Sequence, residues 1–177
     1  MANGARHICI QWKYYRLIKF RKMPLFNVRV YGVLLDKANR LLVSDEFIRG
    51  NYFTKLPGGG LEFGEGTLEC VAREFMEETG LTVTVGEHLY TTDFFQISAF
   101  NNKDQIISIY YHVHCDDTSG IKTSTEKFDF SPDQTADEVN GLAESFRWVN
   151  FEDVNEDTMS LPIDKVAIQL LKEKFSL

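Results

Sequence analysis

The sequence predicts an α+β domain in which helices cover a mixed β-sheet. Three observations carry this. Strand-length apolar runs recur along most of the chain, one segment near the middle has a helical stripe with capping signals at both ends, and a second amphipathic helix closes the chain. The length of 177 residues suits a single hydrophobic core, and 44% apolar with 25% charged residues excludes a chain disordered throughout.

The regular patterns begin at Asn27. Asn27–Asp36 and Arg40–Ser44 flank the turn-like Lys37-Ala38-Asn39 and read as a hairpin. Tyr52–Leu56 is a short strand, followed by Pro57 and a loop from Gly58 to Gly66 that holds five of the twelve glycines. Thr67 offers an N-cap oxygen and Gly80 a C-terminal stop, which brackets a helix at 68–79. Leu81–Val85, Leu89–Ile97 and Gln105–Cys115 resume strand character. Residues 116–141 are polar and too long for an ordinary connection, which predicts a lid or mobile loop. Phe146–Val149 is the last strand, and Ile163–Phe175 the final helix after Pro162.

Charge divides the chain into a basic extension, residues 1–24, and a body, residues 25–177. The first 24 residues hold six of the nineteen basic groups and no acidic one, so the body carries thirteen basic groups against twenty-six acidic. Such a body repels polyanions, which makes nucleic acid an unfavourable partner. The extension is expected to dock on the body or on a second subunit, which leaves a homodimer open. No run approaches the roughly 20 apolar residues a membrane helix needs. The first residues show no signal-type apolar run, so the expected location is cytoplasmic. Cys9, Cys70 and Cys115 are too few and too scattered for a disulfide framework or a zinc ribbon.

The central helix breaks local rules. Leu68, Val71, Ala72, Phe75, Met76 and Thr79 follow the spacing of a core-facing stripe, which puts Glu74, Glu77 and Glu78 on the opposite side beside Arg73. Glu74 and Glu78 form a like-charged i, i+4 pair, and Glu77 and Glu78 sit at the negative end of the helix dipole, where cations are preferred. Converging carboxylates with no accompanying His or Cys set suggest a hard divalent cation, Mg²⁺ or Mn²⁺, instead of zinc.

The stretch Gly59–Leu81, GGLEFGEGTLECVAREFMEETGL, resembles the Nudix box. Gly59, Glu65, Arg73, Glu74, Phe75, Glu77, Glu78, Gly80 and Leu81 fill every defined position of that motif. The resemblance implies the Nudix fold, an α/β/α sandwich around a mixed sheet, and hydrolysis of a nucleoside diphosphate linked to another moiety with the help of divalent metal. It implies that the Gly59 carbonyl and the carboxylates of Glu74, Glu77 and Glu78 are metal ligands, with Glu77 or Glu78 as base. Glu65 and Arg73 would hold the loop and helix in register. Family members often recruit a further acid from a later segment, and Glu138 and Glu144 are the candidates.

The alternative implied by the same resemblance is a non-catalytic Nudix-fold sensor or regulator module, but such modules commonly lack box glutamates that this chain retains. The implied partner is a small nucleotide: a nucleotide sugar, ADP-ribose or a nucleoside triphosphate. The proline and tyrosine that mark ADP-ribose and dinucleoside-polyphosphate members downstream of the box are missing, since Phe95 and Gln96, then Ile97, Ser98 and Ala99, occupy those windows. Of the remaining residues, His112 and His114 alternate onto the strand face of Ser108 and Tyr110 without the further ligands a zinc site needs. Cys70 reads as a spectator on the carboxylate side of the helix, and Phe94, Phe95 and Phe100 receive no role. Because the apolar pattern and the whole box lie beyond it, removal of residues 1–22 is expected to leave a folded, active protein. Loss of soluble protein from a chain starting at Met23 would show that the extension contributes to the core or to a subunit interface.

Overall fold

The computed structural model describes residues 23–175; the basic segment 1–22, including Cys9, lies outside the described residues. The elements run β1 (Phe26–Leu34), β2 (Arg40–Ile48), β3 (Asn51–Lys55), β4 (Gly58–Gly60), α1 (Thr67–Thr79), β5 (Thr84–Thr91), β6 (Gln105–His114), β7 (Thr123–Ser124), β8 (Leu142–Asn150) and α2 (Pro162–Phe175), with a short 3-10 turn at Glu156–Thr158. They form two four-stranded sheets, ordered β4-β1-β6-β5 and β3-β2-β8-β7. The first is mixed: β1 runs parallel to β6 and antiparallel to β4.

Strand β1 explains the layering. Its run is apolar on both faces, the signature of a strand covered on both sides. Val30 and Leu34 point into a core shared with α1, where Val71, Phe75 and Leu81 meet them. Tyr31 and Val33 point the other way, into a second core closed by Ile163, Ala167, Ile168 and Leu171 of α2. Strand β2 divides likewise, Leu42 to the α1 side and Leu41 and Val43 to the α2 side. The result is the predicted α/β/α arrangement. No helix among the described residues is long and apolar enough to cross a membrane.

Four local expectations are corrected. The segments at 27–36 and 40–44 do not form a hairpin ladder. The turn is present, with Asp36 accepting from the Ala38 and Arg40 amides, but pairing stops at a single bridge, Leu35 to Leu41. Both edges of β1 are taken by β4 and β6, and both edges of β2 by β3 and β8, so the chain steps from one sheet to the other. The last strand starts at Leu142, not Phe146, because the polar Ala143-Glu144-Ser145 segment pairs with Phe47, Glu46 and Asp45 of β2. The two segments predicted at Leu81–Val85 and Leu89–Ile97 are replaced by one strand, β5, which spans only Thr84–Thr91 and has register shifts around His88. Gly66, not Thr67, is the N-cap of α1; the Glu69 carboxylate accepts the Gly66 amide, and the Thr67 hydroxyl bonds the Tyr111 hydroxyl at 2.8 Å. The stop at Gly80 is as expected, with φ at 72°.

The face of α1 is also corrected. The inward stripe is Thr67, Cys70, Val71, Glu74, Phe75 and Glu78, one residue back from the predicted set, while Leu68 and Met76 are 50% and 46% exposed. The cause is a steric fit: the ring of Phe75 occupies the space over Gly32 of β1, where any side chain would overlap it. Helical hydrophobicity alone favours Leu68 and Met76 as core residues, but only the rotation set by Phe75 fits that glycine. The polar stretch 116–141 carries β7 and is pinned by Ile121 in the core, by the Phe128 amide donating to Asp45, and by Phe128 and Phe130 packing on Tyr52. Because Phe75 is fully buried and fixes the rotation of α1, Phe75→Ala is expected to cost about 3–5 kcal/mol in urea unfolding. A loss below about 1 kcal/mol would show that the helix is seated by other contacts.

Candidate active site

The site is built where the glycine loop meets α1. Arg73 is its hub. Its guanidinium grips Glu65 with two bonds, Nη2 to Oε1 at 2.7 Å and Nε to Oε2 at 3.0 Å. It also donates to Glu74 at 3.0 Å, Glu77 at 3.1 Å and the Gly60 carbonyl at 3.1 Å. A planar fork with five donors suits this task, and a lysine could not replace it. The Arg73 bonds, with the Glu62 amide, hold the Glu65 carboxyl down at about 2. Gly59 lies directly against the Glu74 carboxylate, so a side chain there would displace it. Glu78 accepts the Gly58 amide at 3.1 Å.

Glu78 also meets two acids from the second sheet. Ligand oxygens of Glu46, Glu78 and Glu144 all lie within 4.8 Å of one another, and each residue is half-buried. Glu46 on β2 and Glu144 on β8 are direct cross-strand partners, an arrangement of like charges that destabilises a sheet unless a cation intervenes. The Ser44 hydroxyl donates to Glu144 at 2.6 Å, and the buried Lys55 ammonium pairs with Glu46 at 2.8 Å. Burial pushes the Glu78 carboxyl up to about 8; Lys55 opposes this, while Glu144, Glu74 and Glu46 add to it. Burial likewise raises Glu144, partly offset by Ser44 and Lys55. Burial would lower Lys55, but Glu46, Tyr31 and Glu78 outweigh it and hold the ammonium charged.

From Glu46 a cleft lined by Arg29, Tyr31, Phe53, Lys55 and Phe100 runs on to a cavity bounded by Ile106, Tyr110, Pro162 and Asp164. The Tyr110 hydroxyl donates to one Asp164 oxygen at 2.5 Å, and the other oxygen is buried without a partner.

The sequence model of the NUDIX domain matches residues 25–171. The chain belongs to the NUDIX family. A MutT-like protein of Streptomyces ambofaciens is 44% identical over 64 residues, which cover 36% of this chain and 40% of that one, so the match spans less than half of the relative's length. Two solved structures share the fold at low identity. One is the E. coli ORF135 protein, with a TM-score of 0.59, 14% identity, and coverage of 85% of this chain and 91% of that one. The other is a MutT protein from Methanosarcina mazei Go1, with a TM-score of 0.58, 20% identity, and coverage of 87% and 98%.

Within this NUDIX domain, the residues singled out from the sequence separate into groups. Arg73 brings Glu65, Glu74 and Glu77 together, with Glu77 largely exposed at 60% of its side chain. Glu78 turns away from them toward Glu46 and Glu144. Of the two late acids, Glu144 stands in that cluster, whereas Glu138 is exposed and outside it. Cys70, on the inward stripe, is fully buried, donates to the Gly60 carbonyl at 3.5 Å, and burial pushes its thiol up to about 12, which suits a spectator. His112 is half-buried with Nε2 lacking a partner, and burial lowers it, while His114 is exposed. Phe100 lines the cavity.

Glu46 and Lys55 were not legible in the sequence. The pair of adjacent acids Asp45-Glu46 inside a strand was the signal for Glu46, but only the register of β2 with β8 gives it meaning. The Glu78 shift carries a pH consequence. Its folded carboxyl is harder to ionise than the unfolded one, so the metal-free stability it supports is full below pH 4.5 and lost as pH rises to about 8. Metal-free wild-type protein is therefore expected to lose stability relative to Glu78→Gln across that window, measured as the difference in melting temperature. Parallel curves for the two proteins would show that Glu78 is not strained by its neighbours.

Proposed function

We propose that the protein is a divalent-metal-dependent hydrolase that cleaves the diphosphate linkage of a nucleoside diphosphate bonded to another moiety. The observation that carries this reading is the junction of a complete box helix with three mutually close carboxylates, Glu46, Glu78 and Glu144. The donor set fits a hard cation. It is all oxygen, its like charges face one another across a sheet, and no thiolate or imidazole takes part. Mg²⁺ or Mn²⁺ held there would neutralise phosphate charge and lower the pKa of the attacking water.

The chain's own groups divide the remaining work. The Gly59 carbonyl, Glu74, Glu77 and Glu78 are the proposed ligands, and Glu46 and Glu144 add acids from the second sheet. Glu77 or Glu78 is the proposed base, as the family resemblance implies. Arg73 keeps Glu65, Glu74 and Glu77 in register and so holds the loop carbonyls at a fixed distance from the helix. The aromatic cleft from Arg29 and Tyr31 to Phe100 is the proposed seat of the nucleoside. The body, residues 25–177, is proposed as the catalytic domain and residues 1–24 as an appendage to it.

Phosphate release from a nucleotide panel tests this. Chelator-treated protein is expected to stay folded and inactive, and Mg²⁺ or Mn²⁺ to restore hydrolysis. Glu78→Gln is expected to reduce turnover roughly 10²–10⁴-fold with the fold intact. Cleavage that persists in excess chelator would falsify the metal-dependent reading.

A further inference from the structure

We propose that Lys55 is a built-in counter-cation of the carboxylate site, a positioning residue whose ammonium limits how much metal the site takes up and fixes the glycine turn beside it. This rests on the metal-dependent reading above. Lys55 is only 4% exposed. An ammonium has three donors, and protein groups surround this one: it pairs with Glu46 at 2.8 Å, donates to the Gly58 carbonyl at 2.9 Å, and lies 5.5 Å from the centroid of the Tyr31 ring. It is committed to the protein and is not displayed to a phosphate.

The register of the second sheet makes this arrangement systematic. Ser44 and Lys55 are cross-strand partners on β2 and β3. Ser44 donates to Glu144 and Lys55 to Glu46, so one pair of neighbouring residues serves both acids that the sheet contributes. Three carboxylates and one ammonium carry a formal charge of −2. Without Lys55 the same corner would carry −3.

Lys55 also acts on the backbone. Gly58 has φ at +134°, a conformation reserved for glycine, and a side chain there would overlap the Val30 carbonyl. Its amide is held by Glu78 and its carbonyl by Lys55, so the peptide joining Gly58 to Gly59 is fixed from the Lys55 side. Lys55 thereby links the charge of Glu46 to the orientation of the loop that carries the proposed Gly59 ligand.

Mn²⁺ titration of the full chain without substrate, with free Mn²⁺ read by electron paramagnetic resonance, tests the proposal. Lys55→Met is expected to bind Mn²⁺ at least about tenfold more tightly than wild type, or to take up an additional ion per chain, because a neighbouring positive charge has gone. Lys55→Arg, which keeps the charge, is expected to retain the wild-type isotherm. Lys55→Gln, which removes the charge but keeps a donor for the Gly58 carbonyl, is expected to show the same tightening, which tests the idea even if Lys55→Met does not fold. If Lys55 only fills space, Lys55→Met would lower the melting temperature and leave the isotherm unchanged; that result, or weaker binding, would overturn the proposal. Wild-type protein that takes up no Mn²⁺ would overturn the metal-dependent reading itself.

Discussion

The ring of Phe75 over Gly32 is the contact on which the site depends. A glycine in the middle of a strand costs conformational entropy and contributes no side chain. Here it leaves a socket on the α1 face of β1, and the ring that fills it sets the rotation of the helix. That rotation turns Glu74 onto Gly59 and Glu78 toward the second sheet, while Leu68 and Met76 remain in solvent. The helix exposes two large apolar side chains and half-buries two acids, the reverse of what hydrophobicity alone would choose. Functional sites are where such local inconsistency is expected.

The acids so gathered impose an electrostatic constraint that the fold answers with two fixed cations. Arg73 holds Glu65, Glu74 and Glu77 on the helix side. Lys55 holds Glu46 on the sheet side. Glu78 lies between these two groups, where it accepts the Gly58 amide, and burial, with the charges of Glu144, Glu74 and Glu46, drives its carboxyl far up. The site is organised around a deficit of positive charge at Glu78 and Glu144, and a divalent cation is the species whose charge and oxygen preference match it.

A second buried ion pair steadies the sheet that carries Glu144. Asp45, fully buried on β2, is held by Arg147 of β8 at 2.5 Å and by the Thr54 hydroxyl of β3 at 2.6 Å. Asp45 and Glu46 are adjacent and point to opposite faces of the sheet. One face thus locks three strands together while the other presents the acids, and the Asp45 pairing fixes the register on which the Glu46–Glu144 juxtaposition depends.

The sequence by itself determined the two helices and most of the strands, the box with its nine positions, and the identity of Arg73, Glu65 and the helix acids as a set. These are short-range facts: periodicity, capping residues and spacing within about seven helical turns of chain leave a direct imprint on neighbouring residues. It did not determine the face of α1, because Gly32 and Phe75 are far apart in the chain and only their packing selects one rotation. Nor did it determine that Glu144 joins Glu78 while Glu138 does not, or that Glu46 and Lys55 belong to the site at all. Those depend on which strands pair and in what register, and a shift of one residue would have turned every one of these side chains to the other face of the sheet.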